Sequence, residues 1–272
     1  MLQFFQGLRP KIGTTLTGVL LLAAAVSLIW TPYDPIAIDL NHPLAPPSLA
    51  HWFGADEFGR DVFSRAMVGA RISASIALAT VVITIVSGSL LGLLAGFLRG
   101  WSDRILTTLS DALLAFPGIL LALAVIAVMG SGRQTIILAL SLAYLPSVLR
   151  VVRGAAMSVR ERDYVTASTI AGNGALYTMG RHVLPNVLPP ILVLATSLFG
   201  WVLLSESALS FLGIGVPPPA PTWGNMLSAA RPYMETAAWL GVVPGLCIAL
   251  TLLGVNLLGD ALRDWIDPRR DS

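Results

Sequence analysis

The sequence has few charged residues for its length. Asp, Glu, Lys and Arg make up 12% of its 272 residues, whereas soluble domains carry about 25%. Hydrophobic residues make up 55%, and the mean hydropathy is +0.77. A chain of this composition cannot cover a folded domain with polar side chains, which excludes an ordinary soluble protein. The net charge is only +2, and the basic residues stand singly or in pairs, so no nucleic-acid-binding surface is predicted.

Lysine, cysteine and histidine are also scarce, and this excludes several kinds of site. The single cysteine, Cys247, excludes a disulfide framework and a Cys-based zinc site. The single lysine, Lys11, is not part of a G-x-x-x-x-G-K-[ST] phosphate loop, so the chain has no ATP-hydrolysing motif. His42, His51 and His182 are scattered, and neither H-E-x-x-H nor G-x-S-x-G occurs. We therefore predict no catalytic residue, no metal site and no cofactor.

The apolar residues are gathered into long runs. A helix needs roughly 20 apolar residues to cross a hydrocarbon core of about 30 Å. Six stretches qualify, at residues 12–30, 72–98, 105–129, 135–152, 188–211 and 236–258. No A-x-A cleavage site follows the first stretch, so we interpret it as a retained anchor. The prediction is an all-α, polytopic membrane protein with six transmembrane helices.

The basic residues predict the orientation of these spans, because basic loops stay cytoplasmic. With the N-terminus inside, twelve fall in cytoplasmic segments: Arg9, Lys11, Arg99, Arg104, Arg150, Arg153, Arg160, Arg162, Arg181, Arg263, Arg269 and Arg270. Five fall outside: Arg60, Arg65, Arg71, Arg133 and Arg231. Both termini are therefore predicted to be cytoplasmic. Residues 31–71 and 206–235 then face out, and residues 153–187 form the largest cytoplasmic segment.

Glycine recurs at four-residue spacing in the second span. Gly88, Gly92 and Gly96 form a doubled G-x-x-x-G, which allows another helix to approach closely. We favour ordinary packing within the subunit over a moving gate.

Two carboxylates lie within or beside predicted spans. Asp111 is near the cytoplasmic end of the third span, and for it we favour a structural partner over a proton or ion relay. Glu206 is near the outer end of the fifth span. Pairing with Arg231, solvation at the helix end and substrate contact all stay open for Glu206.

The cytoplasmic segment 153–185 is too patterned to be a simple turn. A helix is predicted over residues 158–171, with Val159, Tyr164, Ala167 and Ile170 towards one side. Gly172, Asn173 and Gly174 end that helix. A second short helix is predicted over residues 175–183, ending at Leu184-Pro185. The pair could form a knob that enters a groove of a partner, or an amphipathic helix that lies on the inner leaflet.

Several motifs resemble the inner-membrane permeases of binding-protein-dependent ABC importers, in their dipeptide, oligopeptide and nickel branch. The general signature of that family is E-A-A, three residues, G, nine residues, I-x-L-P. Here Thr166-Ala167-Ser168, Gly172, His182 and Leu184-Pro185 occupy its positions, with departures at Thr166, Ser168 and His182. The flanking Asp163-Tyr164-Val165 and the run Arg181 to Asn186 look like the branch itself. Further similar segments are residues 53–65, 210–216, 221–224, 256–264 and 267–269.

The resemblance implies a type I ABC importer permease fold in a bacterial inner membrane. It implies four kinds of partner: a second, homologous permease, two cytoplasmic ATPases, an external substrate-binding protein and membrane lipid. It implies an anchor helix with an external segment (1–71), a permease core (72–272) and a coupling helix at about 158–172. The implied ATPase-coupling residues are Arg162, Asp163, Tyr164, Ala167, Ile170 and Gly172. The implied substrate is a dipeptide, an oligopeptide or a nickel chelate, with another small solute as the alternative.

Two other classes stay open on the residues alone. A secondary transporter usually has inverted repeats with broken helices, and Pro117, Pro146 and Pro244 are possible breaks. No pair of repeats and no midplane carboxylate is evident, however. A membrane-embedded enzyme would need a nucleophile with a base, or a metal cluster, and the sequence shows neither.

Overall fold

The computed structural model describes residues 7–266, and within that range it contains helices, turns and loops but no β-strand. The α-helices are α1 (Leu8–Val26), α2 (Val62–Leu98), α3 (Gly100–Leu114), α4 (Gly118–Met129), α5 (Arg133–Arg160), α6 (Asp163–Ile170), α7 (Ala175–Thr178), α8 (Leu184–Phe211), α9 (Trp223–Ala230) and α10 (Trp239–Ile266). The prediction of an all-α protein is confirmed. The motif residues Asp267, Pro268 and Arg269, and the basic residue Arg270, lie outside the described residues.

Four of the described helical segments are long and apolar enough to cross a membrane. They are α2, α5, the segment from α7 to α8, and α10, and the bent pair α3 with α4 makes a fifth crossing if it counts as one span. Helix α1 does not join this group, because Arg9, Pro10 and Lys11 lie in its first turn. The sixth crossing, by α1, therefore stays a prediction.

The third predicted span is not one continuous helix. It breaks between α3 and α4, whose axes differ by 88°. Pro117 causes the break, since proline lacks a backbone N–H and disfavours helical backbone in the residue before it. Its carbonyl instead begins α4 by accepting hydrogen bonds from Leu120 and Leu121. In contrast, α5 and α10 continue through Pro146 and Pro244.

The spaced glycines of α2 lie against α5. A Cβ on Gly88 would be 2.7 Å from the Val148 side chain, and one on Gly92 would be 2.7 Å from the Leu149 carbonyl oxygen. A Cβ on Gly96 would meet the backbone of α5 at 2.6 Å. Since real Cβ atoms do not approach so closely, only glycine allows this contact. The interpretation of these glycines as a packing surface is confirmed.

Helix α1 packs mainly against α10 through a similar exchange of small residues. A Cβ on Gly13 of α1 would be 3.0 Å from the Leu257 Cβ of α10. A Cβ on Gly254 of α10 would be 2.8 Å from the Leu16 Cβ of α1. The first and last described helices are therefore neighbours.

The segment between α1 and α2 is held to the start of α2 by charged groups. The Asp61 carboxylate caps α2 by accepting hydrogen bonds from the Ser64 backbone N–H (2.8 Å) and hydroxyl (2.6 Å). The Asp56 carboxylate accepts a 2.7 Å hydrogen bond from Arg60 Nε and lies 3.4 Å from Arg65 Nε. These contacts give the segment a fixed shape without secondary structure of its own.

Glu206 of α8 is completely buried. Its Oε1 accepts a 2.8 Å hydrogen bond from the Ser210 hydroxyl. Of the alternatives that the sequence left open, pairing with Arg231 does not occur, since the Arg231 guanidinium lies over the Phe211 ring, 5.1 Å from its centroid. Solvation at the helix end does not occur either, because the loop after α8 folds back, and the Ser210 side chain lies under Gly224 of α9.

Candidate functional site

The most distinctive feature between the long helices α5 and α8 is the α6–α7 knob, defined here as residues 161–183. The predicted helix over 158–171 is wrong at its start, because α5 ends at Arg160 and α6 begins at Asp163. Arg162 has extended backbone (φ −77°, ψ 144°), which turns the chain between the two helices. A 2.7 Å ion pair between Arg99 and Glu161 ties this corner to the end of α2. Asp163 lies in the first turn of α6, where a carboxylate stabilises the positive end of the helix dipole.

The end of α6 is fixed by Gly172, as the sequence predicts. Gly172 has φ +84°, and its N–H donates to the Thr169 carbonyl at 3.0 Å. The Asn173 N–H donates to the Ser168 carbonyl at 3.2 Å. This pair of bonds is the Schellman motif, which requires a left-handed residue at the position of Gly172. The predicted left-handed conformation is confirmed.

A small buried polar cluster joins the two helices of the knob. The Ser168 and Thr178 hydroxyl oxygens are 3.1 Å apart, and the Asn173 side-chain amide donates to Ser168 Oγ at 3.1 Å. Ser168 and Thr178 are both buried. Sequence reasoning missed this cluster, treating Ser168 only as a departure from the family signature. The available signal was two hydroxyl residues and an asparagine flanking a helix stop.

The prediction that the second helix of the knob ends at Leu184-Pro185 is wrong. It passes through a π-helical turn at Met179–Val183 directly into α8. Proline cannot donate the N–H that an α-helix needs, and the wider turn before Pro185 accommodates that missing bond. The His182 ring lies close to two tyrosines, with centroid distances of 6.5 Å to Tyr164 and 6.0 Å to Tyr177.

The structure brings all six predicted coupling residues together on the knob: Arg162, Asp163, Tyr164, Ala167, Ile170 and Gly172. All six are exposed, while Val165 and Ser168 anchor α6 on its inner side. Ile170 is 81% exposed and Tyr164 44% exposed. Leu176 (77%) and Tyr177 (54%) add to this exposed apolar surface and were not predicted. Large apolar side chains exposed beside charged ones are typical of a surface that another protein covers.

A crevice of about 480 Å³ lies beside α6. Its walls are Phe97, Leu98, Arg99, Arg160, Glu161, Val165, Thr166, Thr169 and Ala175. The Arg160 guanidinium lies 5.8 Å from the Phe97 ring centroid, which keeps that arginine on the wall. The crevice is open and polar on one side, so it can receive a side chain from a partner.

Asp111 has the structural partner that the sequence favoured. Its Oδ1 accepts a 2.8 Å hydrogen bond from an Arg150 guanidinium nitrogen. Across residues 7–266, no group of three or more His, Cys, Asp or Glu side chains is placed to hold a metal ion.

Two relatives found by comparison with known proteins are both named as transport permeases. The chain is 41% identical to a putative peptide transport system permease protein of Brucella suis biovar 1 (strain 1330), over 95% of this chain and 87% of that protein. It is 43% identical to the glutathione transport system permease protein GsiD of Escherichia coli O157:H7, over 92% of this chain and 84% of that protein. Both alignments cover most of each protein.

A solved structure has the same fold. The MetNI methionine ABC transporter in an inward-facing conformation superimposes with a TM-score of 0.59 at 18% identity. The match covers 73% of this chain and 94% of that chain. This likeness identifies the fold of a type I ABC importer permease.

Residues 88–272 match the family model described as the binding-protein-dependent transport system inner membrane component. That range holds the knob and the spans from the last third of α2 onward. The chain therefore belongs to this family of multi-pass inner-membrane proteins, and as a permease subunit of an ABC importer it works with ATPases and a substrate-binding protein and does not itself hydrolyse ATP.

Proposed function

We propose that this chain is one of two different permeases in an importer of small peptides. The observation that carries the substrate class is the similarity to peptide and glutathione permeases, at 41% and 43% identity over more than nine-tenths of this chain. Glutathione is itself a small peptide, so the two relatives point to one chemistry. A nickel chelate is compatible with the same branch of the family, but neither relative carries a name that points to it.

The α6–α7 knob is the surface that we propose to contact an ATPase. Arg162, Asp163, Tyr164, Ala167, Ile170 and Gly172 form the proposed contact, joined by Leu176 and Tyr177. Their exposure supports this role, as does the rigid construction of the knob. Ile170 faces away from the buried Val165 and Ser168, so it is available to a partner without any change in the fold.

The proposed complex contains this chain, a second homologous permease, two ATP-binding subunits and an external binding protein, embedded in lipid. The translocation path would lie between the two permeases, and this chain would line half of it. We also propose that residues 1–71 are an addition to a permease core at 72–272. The family match supports that division, since it begins at residue 88, well after α1.

The proposed orientation has both termini in the cytoplasm, with twelve basic residues inside and five outside. Reporter fusions after Asn41 and after Pro218 should report an external position. A fusion after Asn173 should report an internal one. A cytoplasmic signal at Asn41 would contradict a membrane crossing by α1.

The proposed function is tested by reconstitution into proteoliposomes. The chain is purified with its proposed partner permease, ATPases and binding protein, and uptake of a radiolabelled tripeptide is measured. We expect uptake that needs both ATP and the binding protein, and ATP hydrolysis that rises when the loaded binding protein is added. Uptake of nickel but of no peptide would overturn the substrate class. Peptide uptake without the ATPases would overturn the importer mechanism.

A further inference from the structure

A polar crevice opens between α3 and α5, away from the α6–α7 knob. It has a volume of about 330 Å³, and its walls are Thr107, Ser110, Asp111, Leu149, Arg150 and Arg153. Both helices supply charged groups to it. None of these wall residues belongs to the knob, so the proposed role of the knob does not account for the crevice.

Two ion pairs cross from α3 to α5 here, and they differ in construction. Arg153 contacts Asp103 through two nitrogens, with the second contact at 2.8 Å, and these side chains are only 28% and 19% exposed. Arg150 contacts Asp111 through one hydrogen bond of 2.8 Å, and these side chains are 61% and 65% exposed. The first pair is a bidentate structural joint. The second is open and joined by a single bond, so another ligand can replace either partner.

The exposed pair lies near the predicted cytoplasmic end of α5, within reach of water. Helix α5 begins at Arg133, whose guanidinium donates to Ser75 Oγ at 2.9 Å near the start of the second predicted span. The seventeen residues from there to Arg150 advance the helix by about 25 Å, which places Arg150 near the far, cytoplasmic side of a hydrocarbon core of about 30 Å. A long arginine can snorkel to the interface, but the short Asp111 side chain cannot. Its exposed carboxylate therefore faces water or a partner permease.

Ser110 gives an independent sign that the crevice takes a ligand. Its hydroxyl is buried, with the residue only 4% exposed, and no described group accepts or donates a hydrogen bond to it. Buried hydroxyls normally have a partner. Because this hydroxyl lies on the wall of a charged crevice, it is available to form a hydrogen bond with a ligand.

The balance of charge in the crevice selects the kind of ligand. Asp103 neutralises Arg153, which leaves one cation, Arg150, and one anion, Asp111. A phosphate or a lipid headgroup of net negative charge would meet the Asp111 carboxylate. A zwitterion matches both remaining groups, and small peptides carry an ammonium and a carboxylate at their ends.

We propose that the α3–α5 crevice binds the charged ends of a transported peptide on its way through the membrane. Asp111 accepts hydrogen bonds from the peptide ammonium, while Arg150 donates to the peptide carboxylate and the Ser110 hydroxyl adds a further contact. The Asp111–Arg150 bond opens as the ligand enters and closes as it leaves, so the exchange conserves charge. This inference rests on the proposed function of peptide import.

The test measures labelling of one introduced cysteine in a chain that lacks its native cysteine. Cys247→Ser removes it, and Thr107→Cys places one thiol on the crevice wall. The complete transporter in proteoliposomes is treated with a neutral maleimide, with trialanine on both faces, and labelling of this chain is followed by mass spectrometry. We expect trialanine to slow labelling of position 107. Trialanine with an acetylated N-terminus and an amidated C-terminus should not.

Substitutions identify the groups responsible. Arg150→Gln should raise the trialanine concentration needed for protection about tenfold, since a charge-assisted hydrogen bond is lost. Asp111→Asn keeps the shape of the side chain and should act similarly. Arg150→Lys should retain most of the protection. The matched control is Arg133→Gln, the same substitution on the same helix but outside the crevice, which should leave protection unchanged.

Three outcomes overturn the proposal. Equal protection by free and blocked trialanine would show that the peptide ends are not recognised. Protection that follows the fraction of phosphatidylglycerol rather than trialanine would assign the crevice to lipid headgroups. Absence of protection while the same proteoliposomes import trialanine would remove the crevice from the path and leave the proposed function intact. Absence of any ATP-driven peptide uptake would instead overturn the proposed function.

Discussion

The hydroxyl oxygens of Ser168 on α6 and Thr178 on α7 lie 3.1 Å apart inside the knob. Neither helix is long enough to be stable alone, since isolated helices shorter than about 12 residues are marginal in water. The buried bond, together with the amide of Asn173, therefore holds α6 and α7 as one body. In the proposed complex, a rigid knob would transmit a movement of the bound ATPase to α5 and α8, the helices that flank it in the chain.

The conformation of Gly172 yields a prediction with a matched control. Gly172→Ala places a Cβ on a residue with φ +84°, which costs about 1–2 kcal/mol. Gly174→Ala places the same Cβ two residues away, where φ is −65° and nothing lies within 4 Å. In the reconstituted transporter, we expect Gly172→Ala to reduce peptide uptake and the response of ATP hydrolysis to loaded binding protein. Gly174→Ala should behave like the unaltered protein, and equal effects of the two would argue against a conformational cause.

The exposed apolar side of α6 gives a second prediction. Ile170 is 81% exposed, and Ile170→Asp would place a charge in the proposed contact with an ATPase. We expect weaker co-purification of the ATPases and loss of stimulated hydrolysis, while insertion and pairing of the permeases persist. Ile170→Val keeps the apolar contact and should retain most of the stimulation. If α6 instead lies on the membrane surface, Ile170→Asp will weaken the dependence on lipid rather than the binding of ATPases.

Sequence patterns predicted the features that local chemistry determines. The apolar runs predicted the long helices, and glycine spacing predicted the packing of α2. Gly172 predicted the left-handed end of α6, because few other residues take that backbone without strain. The signature motif, which includes that glycine, predicted the region of the knob.

Other features depend on groups that are distant in sequence. Glu206 looked available to Arg231, but the loop after α8 folds back and buries it beside Ser210. The partner of Asp111 is Arg150, 39 residues away. Pro117 and Pro146 are both prolines within predicted spans, yet Pro117 breaks its span and Pro146 lies inside the continuous helix α5. Tertiary packing determines the surroundings of each of these residues, and that packing cannot be read from a single sequence.

The contact of α2 with α5 predicts a position-specific effect of adding one methyl group. Gly92→Ala would bring a Cβ within 2.7 Å of the Leu149 carbonyl oxygen, and forcing such helices apart costs about 1–3 kcal/mol. Gly18→Ala in α1 meets nothing within 4 Å and should stabilise its helix by up to about 1 kcal/mol. Thermal unfolding in detergent should therefore shift downwards for Gly92→Ala and not for Gly18→Ala. Equal shifts would mean that the α2–α5 contact is looser than described.

The burial of Glu206 gives the last prediction, which separates a structural role from substrate contact. Glu206 has no exposed surface, its Oε1 accepts a hydrogen bond from Ser210, and no described group pairs with its Oε2. Because the charged form has no cationic partner here, the side chain needs its hydrogen-bonding shape rather than its charge. Glu206→Gln keeps an acceptor for Ser210 and should preserve thermal stability and peptide uptake. Glu206→Leu fills a similar volume but leaves the Ser210 hydroxyl without its hydrogen-bond acceptor, which should lower the free energy of unfolding by about 1–3 kcal/mol.

The same two variants also test the remaining alternative for Glu206, which is contact with the substrate. If the carboxylate contacted substrate as an anion, Glu206→Gln would reduce uptake as strongly as Glu206→Leu while leaving thermal stability unchanged. Measuring both quantities on both variants therefore distinguishes the cases. A stable but inactive Glu206→Gln protein would require the loop over Ser210 to open during transport and expose this carboxylate to the peptide.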